Sequence, residues 1–327
     1  MSKGKILIVG GAGYIGSHMV EHLHRSGYQV TVLDNLSTGH SDAVVNAELV
    51  VGDLGNREVL GRLFRTRGFD AVMHFAALSE VGASMMQPEA YYQNNVAKTL
   101  SLLAEMRSQG LDKFVFSSTA AVYGDAQEGA IGESSDTSPI NPYGWTKRFV
   151  EQVLRDYAHS YAFRSMIFRY FNAAGADPEG RLGERHDPET HLIPLLLQAA
   201  SGHRANFTLF GRDYLTPDGS CVRDFIHVDD LCRAHRLGLE ALLRGEQGDV
   251  FNLGSGVGYS VLQVIESVRR VTGCEVDVKA ADRRAGDPAY LVADVAKVER
   301  ALGWCPHYSL DEMVAHAWRF ETDAATR

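Results

Sequence analysis

Through its first half the chain sets short apolar runs between stretches of helical periodicity, the pattern of buried strands covered by amphipathic helices. KILIVG (5–10), YQVTVLD (28–34), AELVVGDL (47–54), FDAVMHFAAL (69–78), LDKFVFSST (111–119) and FRSMIFRYFNAAG (163–175) are the candidate strands. Helices are expected after Gly16 and over 56–67, 87–109 and 141–158. Beyond residue 175 that alternation stops. A polar, turn-rich stretch (176–190) leads into expected helices at 191–202, 230–244, 260–272, 294–303 and 309–324. Strands are expected among them at 206–211, 220–230, 249–256 and 275–281. No internal repeat is present.

The first strand empties into Gly10-Gly11-Ala12-Gly13-Tyr14-Ile15-Gly16. Gly10 permits the tight turn, Gly13 lets the backbone approach a pyrophosphate, and Gly16 lets helix pack close on strand. The helix N-terminus adds open N–H groups and a positive dipole end for phosphates. The second strand ends in Asp34, whose carboxylate can accept from a ribose 2′-OH and would repel a 2′-phosphate, which favours NAD over NADP. The expected fold class is therefore α/β, a Rossmann-type doubly wound parallel sheet with a smaller α+β C-terminal substrate lobe. Residues 1–175 would form the NAD-binding domain, joined by a strand near 222–228, and residues 176–327 the substrate domain. Asp53 stands either where an adenine is read or at the N-cap of the 56–67 helix. The small residues Ala76 and Ala77 let backbone pass near a cofactor. His74 reads better as a buried structural histidine than as a catalytic one.

Composition narrows the partners. The formal charge is −9, with 45% apolar and 22% charged residues, which argues against a nucleic-acid or anionic-membrane surface. No apolar run reaches the ~18 residues of a membrane span, and MSKGKILIVG lacks a signal peptide's apolar core. Cys221, Cys232, Cys274 and Cys305 show no metal-ligand spacing and read as free thiols. The expectation is a cytoplasmic protein with no metal site.

The candidate chemistry lies at the end of the fifth strand and the start of the next helix. Ser117, Ser118 and Thr119 place hydroxyls where open α/β sheets bind ligands, although loop starters look the same. Four residues apart in NPYGWTK (141–147), Tyr143 and Lys147 share one helix face. A lysine ammonium beside a phenol favours the phenolate, from a starting pKa near ~10, and makes Tyr143 a candidate proton acceptor.

With these residues in hand, the chain resembles the extended short-chain dehydrogenase/reductase superfamily and, within it, the UDP-glucose (UDP-galactose) 4-epimerase family. The likeness runs nearly end to end, through GGAGYIGSH (10–18), DNLSTGH (34–40), HFAAL (74–78), FSSTAAVYG (116–124), PYGWTK (142–147), RYFNAAGADPEG (169–180), HLIP (191–194), DGSCVRDFIHVDDL (218–231) and RRAGDPA (283–289). The glycine loop and the Tyr–Lys pair mark only the superfamily. The RYFNAAGA and VRDFIHV blocks are specific to sugar-nucleotide epimerases.

The resemblance implies NAD-dependent interconversion of UDP-glucose and UDP-galactose, by transient oxidation at C4 and non-stereospecific hydride return. It makes Tyr143 the acid/base, Lys147 its modulator and a ribose ligand, and Thr119 the relaying hydroxyl. Implied NAD contacts are Gly10, Gly13, Tyr14, Ile15, Gly16, Asp34, Asn35, Asp53, Leu54, Phe75, Ala76, Ala77, Asn94, Ser117, Tyr143, Lys147 and Tyr170. Implied UDP-sugar contacts are Thr119, Tyr143, Asn172, His191, Leu192, Phe210, Arg223, Arg284 and Asp287. Arginine forks suit the diphosphate.

A homodimer packed through the 87–109 and 142–160 helices is implied as well. Ser79 departs from members with a cofactor-binding lysine, and Leu291 stands where the family gates its sugar pocket. UDP-xylose/UDP-arabinose and UDP-N-acetylhexosamines remain alternative substrates. A 4,6-dehydratase typically follows the hydroxyl with Asp-Glu, whereas Ala120 and Ala121 follow Thr119. An NAD-binding sensor without catalysis would usually lack the Tyr or the Lys.

Overall fold

The computed structural model describes residues 2–125, 129–283 and 288–324. The first elements are β1 (Lys5–Val9), α1 (Tyr14–Arg25), β2 (Gln29–Asp34), β3 (Glu48–Val51), α2 (Arg57–Arg67) and β4 (Ala71–His74). Next come α3 (Val81–Met86), α4 (Pro88–Tyr91), a π-helical segment (Tyr92–Ala97), α5 (Lys98–Ser108), β5 (Lys113–Thr119), β6 (Ala130–Ile131) and α6 (Pro142–Tyr161). β7 (Arg164–Tyr170), β8 (Asn172–Ala174), α7 (Leu192–Ala200), β9 (Phe207–Phe210), β10 (Val222–His227), α8 (Val228–Arg244) and β11 (Val250–Leu253) follow. The chain closes with β12 (Gly258–Ser260), α9 (Val261–Thr272), β13 (Val278–Ala281), β14 (Tyr290–Ala293), α10 (Ala296–Leu302) and α11 (Leu310–Ala324).

A seven-stranded sheet runs β11-β7-β5-β4-β1-β2-β3. β1 pairs in parallel with both β2 and β4, so the strand order reverses beside it, at the end that carries the glycine loop. Leu7, Val9, Phe114, Phe116 and Val72 from the strands meet Leu60, Leu63, Leu103, Met106 and Leu154 from the helices in one buried cluster. At roughly 1.5–3 kcal/mol for each large side chain buried, this cluster is the main term holding the sheet to its helices. Asn56, not Asp53, caps α2, its side chain accepting from the N–H groups of Glu58 and Val59.

The chain divides into two compact units. One holds Met1–Gly124, Asp136–Arg169 and Cys232–Phe251; the other holds Asp125–Ser135, Tyr170–Leu231 and Asn252–Arg327. The first unit breaks at 169–170, near the change of pattern at 175, and the chain returns to it for 232–251. The expected strand 163–175 is two strands, β7 in the large sheet and β8 in another. Likewise the 222–228 strand does not join the dinucleotide-type sheet. It is β10, centre of a sheet running β12-β10-β14-β6 with β8 also on β10. β6, β12 and β14 are too short, at two to four residues, to stand out as periodic runs. β9 and β13 form a two-stranded parallel sheet in the second unit. Beside it α7, α9 and α11 bury Leu196, Leu197, Val264, Val268, Met313 and Val314.

Candidate active site

The loop between β1 and α1 shows why its glycines are where they are. A Cβ on Gly10 would stand 2.4 Å from the Ala76 backbone nitrogen, and one on Gly16 would stand 2.0 Å from the Gly10 carbonyl oxygen. Gly10 also adopts φ +80. Both positions are fixed by the protein's own packing. Gly13 is different: its φ is −80, and the nearest atom to an added Cβ is 3.6 Å away. Nothing within the chain requires a glycine there, whereas a phosphate group lying on the backbone does. Gly13 is also the N-cap of α1 without a side-chain cap, so no capping side chain competes with an anion at this helix N-terminus. Tyr14 and Ile15 are partly exposed in that first turn.

Asp34 ends β2 with its carboxylate turned back onto the loop, one oxygen accepting from Ala12 N–H at 2.9 Å and the other from Leu36 N–H at 2.8 Å. Each oxygen keeps acceptor capacity for a ribose hydroxyl. Asp53 accepts from Lys98 Nζ (2.7 Å), Asn35 Nδ2 (2.9 Å) and Gly55 N–H (2.7 Å). Burial pushes its carboxyl up, but these hydrogen bonds and the Lys98 charge outweigh it and hold the group below the usual range. Leu54 sends its side chain into the core, so only its backbone is open to a ligand. Phe75 and Ala76 both donate their N–H to the Val9 carbonyl, which draws the chain after β4 across the glycine loop. Ala77 and Ser79 follow, the one partly and the other fully exposed.

The 87–109 stretch is helical from Pro88 to Ser108 but widens to a π-helix over Tyr92–Ala97, which carries Asn94 and Asn95. Asn94 donates to the Asn95 side chain at 3.1 Å. The buried Asn95 does more: it bonds both backbone groups of Leu78 at 2.9 Å and the Thr146 hydroxyl at 3.1 Å. It thereby ties the β4 exit to α6, a role sequence reasoning passed over. His74 is fully buried, with Nε2 3.1 Å from the Thr99 hydroxyl, and burial together with the Lys147 charge lowers it to about 3. It is a neutral structural histidine.

α6 starts with Asn141 as its N-cap, accepting from Gly144 N–H at 2.8 Å, and Pro142 at its first turn. This start sets Tyr143 and Lys147 one turn apart beside the end of β5. Lys147 is buried, its Nζ donating to the Ser117 carbonyl at 2.8 Å and lying 5.0 Å from the Phe116 ring centre. Burial lowers its ammonium to about 7. The Tyr143 phenol is pushed up to about 12 by burial, against a hydrogen bond with Thr119 that favours the phenolate, while Tyr91 raises it further. The expectation that Lys147 would depress Tyr143 is therefore corrected. The Lys147 ammonium is engaged by the Ser117 carbonyl, and burial of the phenol sets the direction of its shift. Thr119 accepts from Ala121 N–H at 3.2 Å.

Behind these groups, Ser118 donates to Glu151 at 2.6 Å, and Arg169 grips Glu151 with both Nε (2.9 Å) and Nη2 (2.7 Å). Arg169 also donates to the Tyr123 hydroxyl at 2.8 Å. Burial works against the Arg169 charge, yet Glu151 and Tyr123 keep the guanidinium firmly protonated.

In the second unit, Tyr170 is buried at the end of β7, and Asn172, which opens β8, pairs with Phe225 of β10. Arg223 lies on β10 in register with Leu291 of β14, so the two side chains are neighbours on one sheet face. His191 is the N-cap residue of α7, Leu192 its first residue, and Phe210 the half-buried last residue of β9. Arg284 and Asp287 lie outside the described residues.

The profile of the NAD dependent epimerase/dehydratase family matches residues 6–254. The chain belongs to that family. Within it the chain falls among the UDP-glucose 4-epimerases: one from Halalkalibacterium halodurans is 50% identical over 97% of this chain and 96% of its own. A crystal structure of UDP-glucose 4-epimerase from Brucella ovis in complex with NAD superposes with a TM-score of 0.94 at 46% identity, covering 97% of this chain and 98% of that one. The enzyme from Stenotrophomonas maltophila, with bound NAD and formylated UDP-arabinopyranose, gives 0.96 at 35% identity over 99% of each chain. The open Gly13, the uncapped N-terminus of α1 and the Asp34 carboxylate fit the NAD these relatives hold, and NAD is the cofactor of this epimerase/dehydratase.

Proposed function

We propose that this chain interconverts UDP-glucose and UDP-galactose with NAD as its cofactor. The observation that carries the reading is the group at the end of β5: the Tyr143 phenol on the Thr119 hydroxyl, one helical turn from a buried Lys147. Gly10, Gly13, Gly16 and Asp34 hold the pyrophosphate and adenosine ribose, with Asp53 and Asn35 beyond them. Arg223 and Asn172 hold the UDP diphosphate, with Arg284 and Asp287 assigned there by resemblance alone. NAD⁺, when bound, supplies the hydride acceptor, the hydride donor on return and a positive charge.

Tyr143 takes the 4-hydroxyl proton, directly or through Thr119, and gives it back to the inverted C4 oxygen. Burial holds the phenol up at about 12, so the Lys147 ammonium one turn away is the group of this chain placed to favour the phenolate, and bound NAD⁺ would add a second positive charge. The nucleotide contacts supply the binding energy, which leaves the sugar free to present either face. Tyr143→Phe should abolish epimerisation with NAD still bound; turnover retained in that variant removes the catalytic assignment.

The family relatives favour the hexose substrate over the pentose and N-acetylhexosamine alternatives. Leu291, beside Arg223, is the residue placed to set that breadth. The protein is proposed to work in the cytoplasm, which its four free cysteines support, and as a homodimer. For the dimer the support is an aromatic patch on the α6 face and the π-helical segment. Tyr92, Trp145 and Phe149 lie 36%, 38% and 43% exposed and touch ring to ring. Among the described residues no helix is long and apolar enough to cross a membrane.

A further inference from the structure

Four side chains in the segment before α7 converge on one point: Glu184, His186, Glu189 and His191, with one ligand-type atom from each inside a 4.8 Å sphere of mutual distances. We infer that they form a closed binding site for a single divalent transition-metal ion, zinc by the chemistry of the donors. His186 Nδ1 stands 3.2 Å from a Glu184 oxygen and 3.6 Å from a Glu189 oxygen. His191 Nδ1 stands 2.8 Å from Glu184 and 3.3 Å from Glu189. Zinc holds imidazole nitrogen and carboxylate oxygen at about 2.0–2.2 Å, which puts neighbouring ligands of a tetrahedron about 3.4 Å apart. The four nitrogen–oxygen separations, with Glu184 offering Oε1 to both rings and Glu189 offering Oε2 to His186 and Oε1 to His191, bracket that edge.

Hydrogen bonding alone accounts for the cluster poorly. Each imidazole has one Nδ1, which can send a proton toward one carboxylate, yet each faces two. His186 Nδ1 is buried and makes no hydrogen bond of normal geometry, although an oxygen stands 3.2 Å away. A cation at the centre satisfies all four at once without needing direction. Two neutral imidazoles and two carboxylates also leave the ion's double charge balanced.

The ligands are set in advance. Glu189 accepts from the N–H groups of Thr190 (2.7 Å) and His191 (2.8 Å), which fixes its carboxylate. The side chains of Glu184 and Glu189 are 8% and 5% exposed and that of His191 48%, so the carboxylates face inward and the His191 side offers the ion its way in. Four protein ligands with none missing is the pattern of a structural site. The ion would pin residues 184–191 to the start of α7, where His191 and Leu192 sit.

The test uses the full-length chain, stripped with a chelator and then titrated with Zn²⁺ or Co²⁺. Equilibrium dialysis should give one metal per chain. Cobalt should show the intense visible bands of a tetrahedral complex, and the unfolding midpoint should rise with metal. Glu184→Gln and His186→Ala should each weaken metal binding at least tenfold, while His24→Ala, at an exposed position of α1, should not. Sub-stoichiometric metal, or binding that ignores both substitutions, would leave two imidazolium–carboxylate pairs and overturn the site. Should the variants misfold, the wild-type cobalt spectrum decides alone: weak, octahedral-type bands also overturn it. None of these readouts depends on epimerase activity.

Discussion

At the scale of single residues, the glycine loop separates two causes that look identical in sequence. Gly16→Ala drives a Cβ to 2.0 Å from the Gly10 carbonyl and should unfold or badly destabilise the protein. Gly13→Ala meets nothing closer than 3.6 Å, so the cofactor-free variant should unfold at the wild-type denaturant concentration. Its NAD affinity should fall roughly tenfold or more, about 1.4 kcal/mol, read by calorimetry. Lys147 yields a prediction in pH. Its folded-state pKa is lowered from 10.5 to about 7, so between those values the unfolded chain carries a proton there that the folded chain lacks. The Lys147 contribution to stability should therefore rise with pH across that window, read as the difference between wild type and a Lys147 variant because His186 and His191, raised to about 9 and 10, pull the other way; the cost of burying the charge is fully present below about 7. Lys147→Met should remove this contribution in denaturant titrations, and a pH slope unchanged between wild type and variant would contradict the assignment. The Tyr–Lys spacing was legible because it is a helical period. The direction of Tyr143's pKa was not, because it depends on where the Lys147 nitrogen points.

At the scale of elements, strands and helices long enough to show a period appear within a few residues of their expected places. What periodicity missed has a common cause. β6, β12 and β14 are too short to show alternation, and strand pairing through β10 joins residues far apart in sequence. The π-helical widening at Tyr92–Ala97 leaves no mark in apolar spacing, although the paired Asn94 and Asn95 inside an amphipathic helix were its one visible sign. The catalytic end of β5 is held by a cross-brace among three elements: Ser118 of β5, Glu151 of α6 and Arg169 of β7. Glu151 and Arg169 are 0% and 3% exposed in their side chains, so removing one leaves the other charge buried and unpaired. Glu151→Ala should cost about 3–5 kcal/mol in denaturant unfolding. A loss under about 1 kcal/mol would mean that the pair is not what braces β5.

At the scale of the whole molecule, the pattern of the sequence changes near residue 175, the two compact units part at 169–170, and no local signal marks the return of 232–251 to the first. That return depends on β11 adding to the sheet edge beside β7, which no local signal announces. The histidine–glutamate cluster escaped sequence reading for a related reason, since attention to cysteine spacing passes over mixed Glu and His ligands. The exposed aromatic patch predicts that Phe149→Glu shifts the protein from dimer to monomer in sedimentation; a monomeric wild type would remove the dimer proposal.

The most direct test of the account is to incubate the purified protein with UDP-galactose, with and without added NAD, and to follow products by anion-exchange chromatography alongside Tyr143→Phe. The wild type should give UDP-glucose and the variant none, with both binding NAD. No UDP-glucose from the wild type with NAD supplied, or equal turnover by Tyr143→Phe, would contradict it.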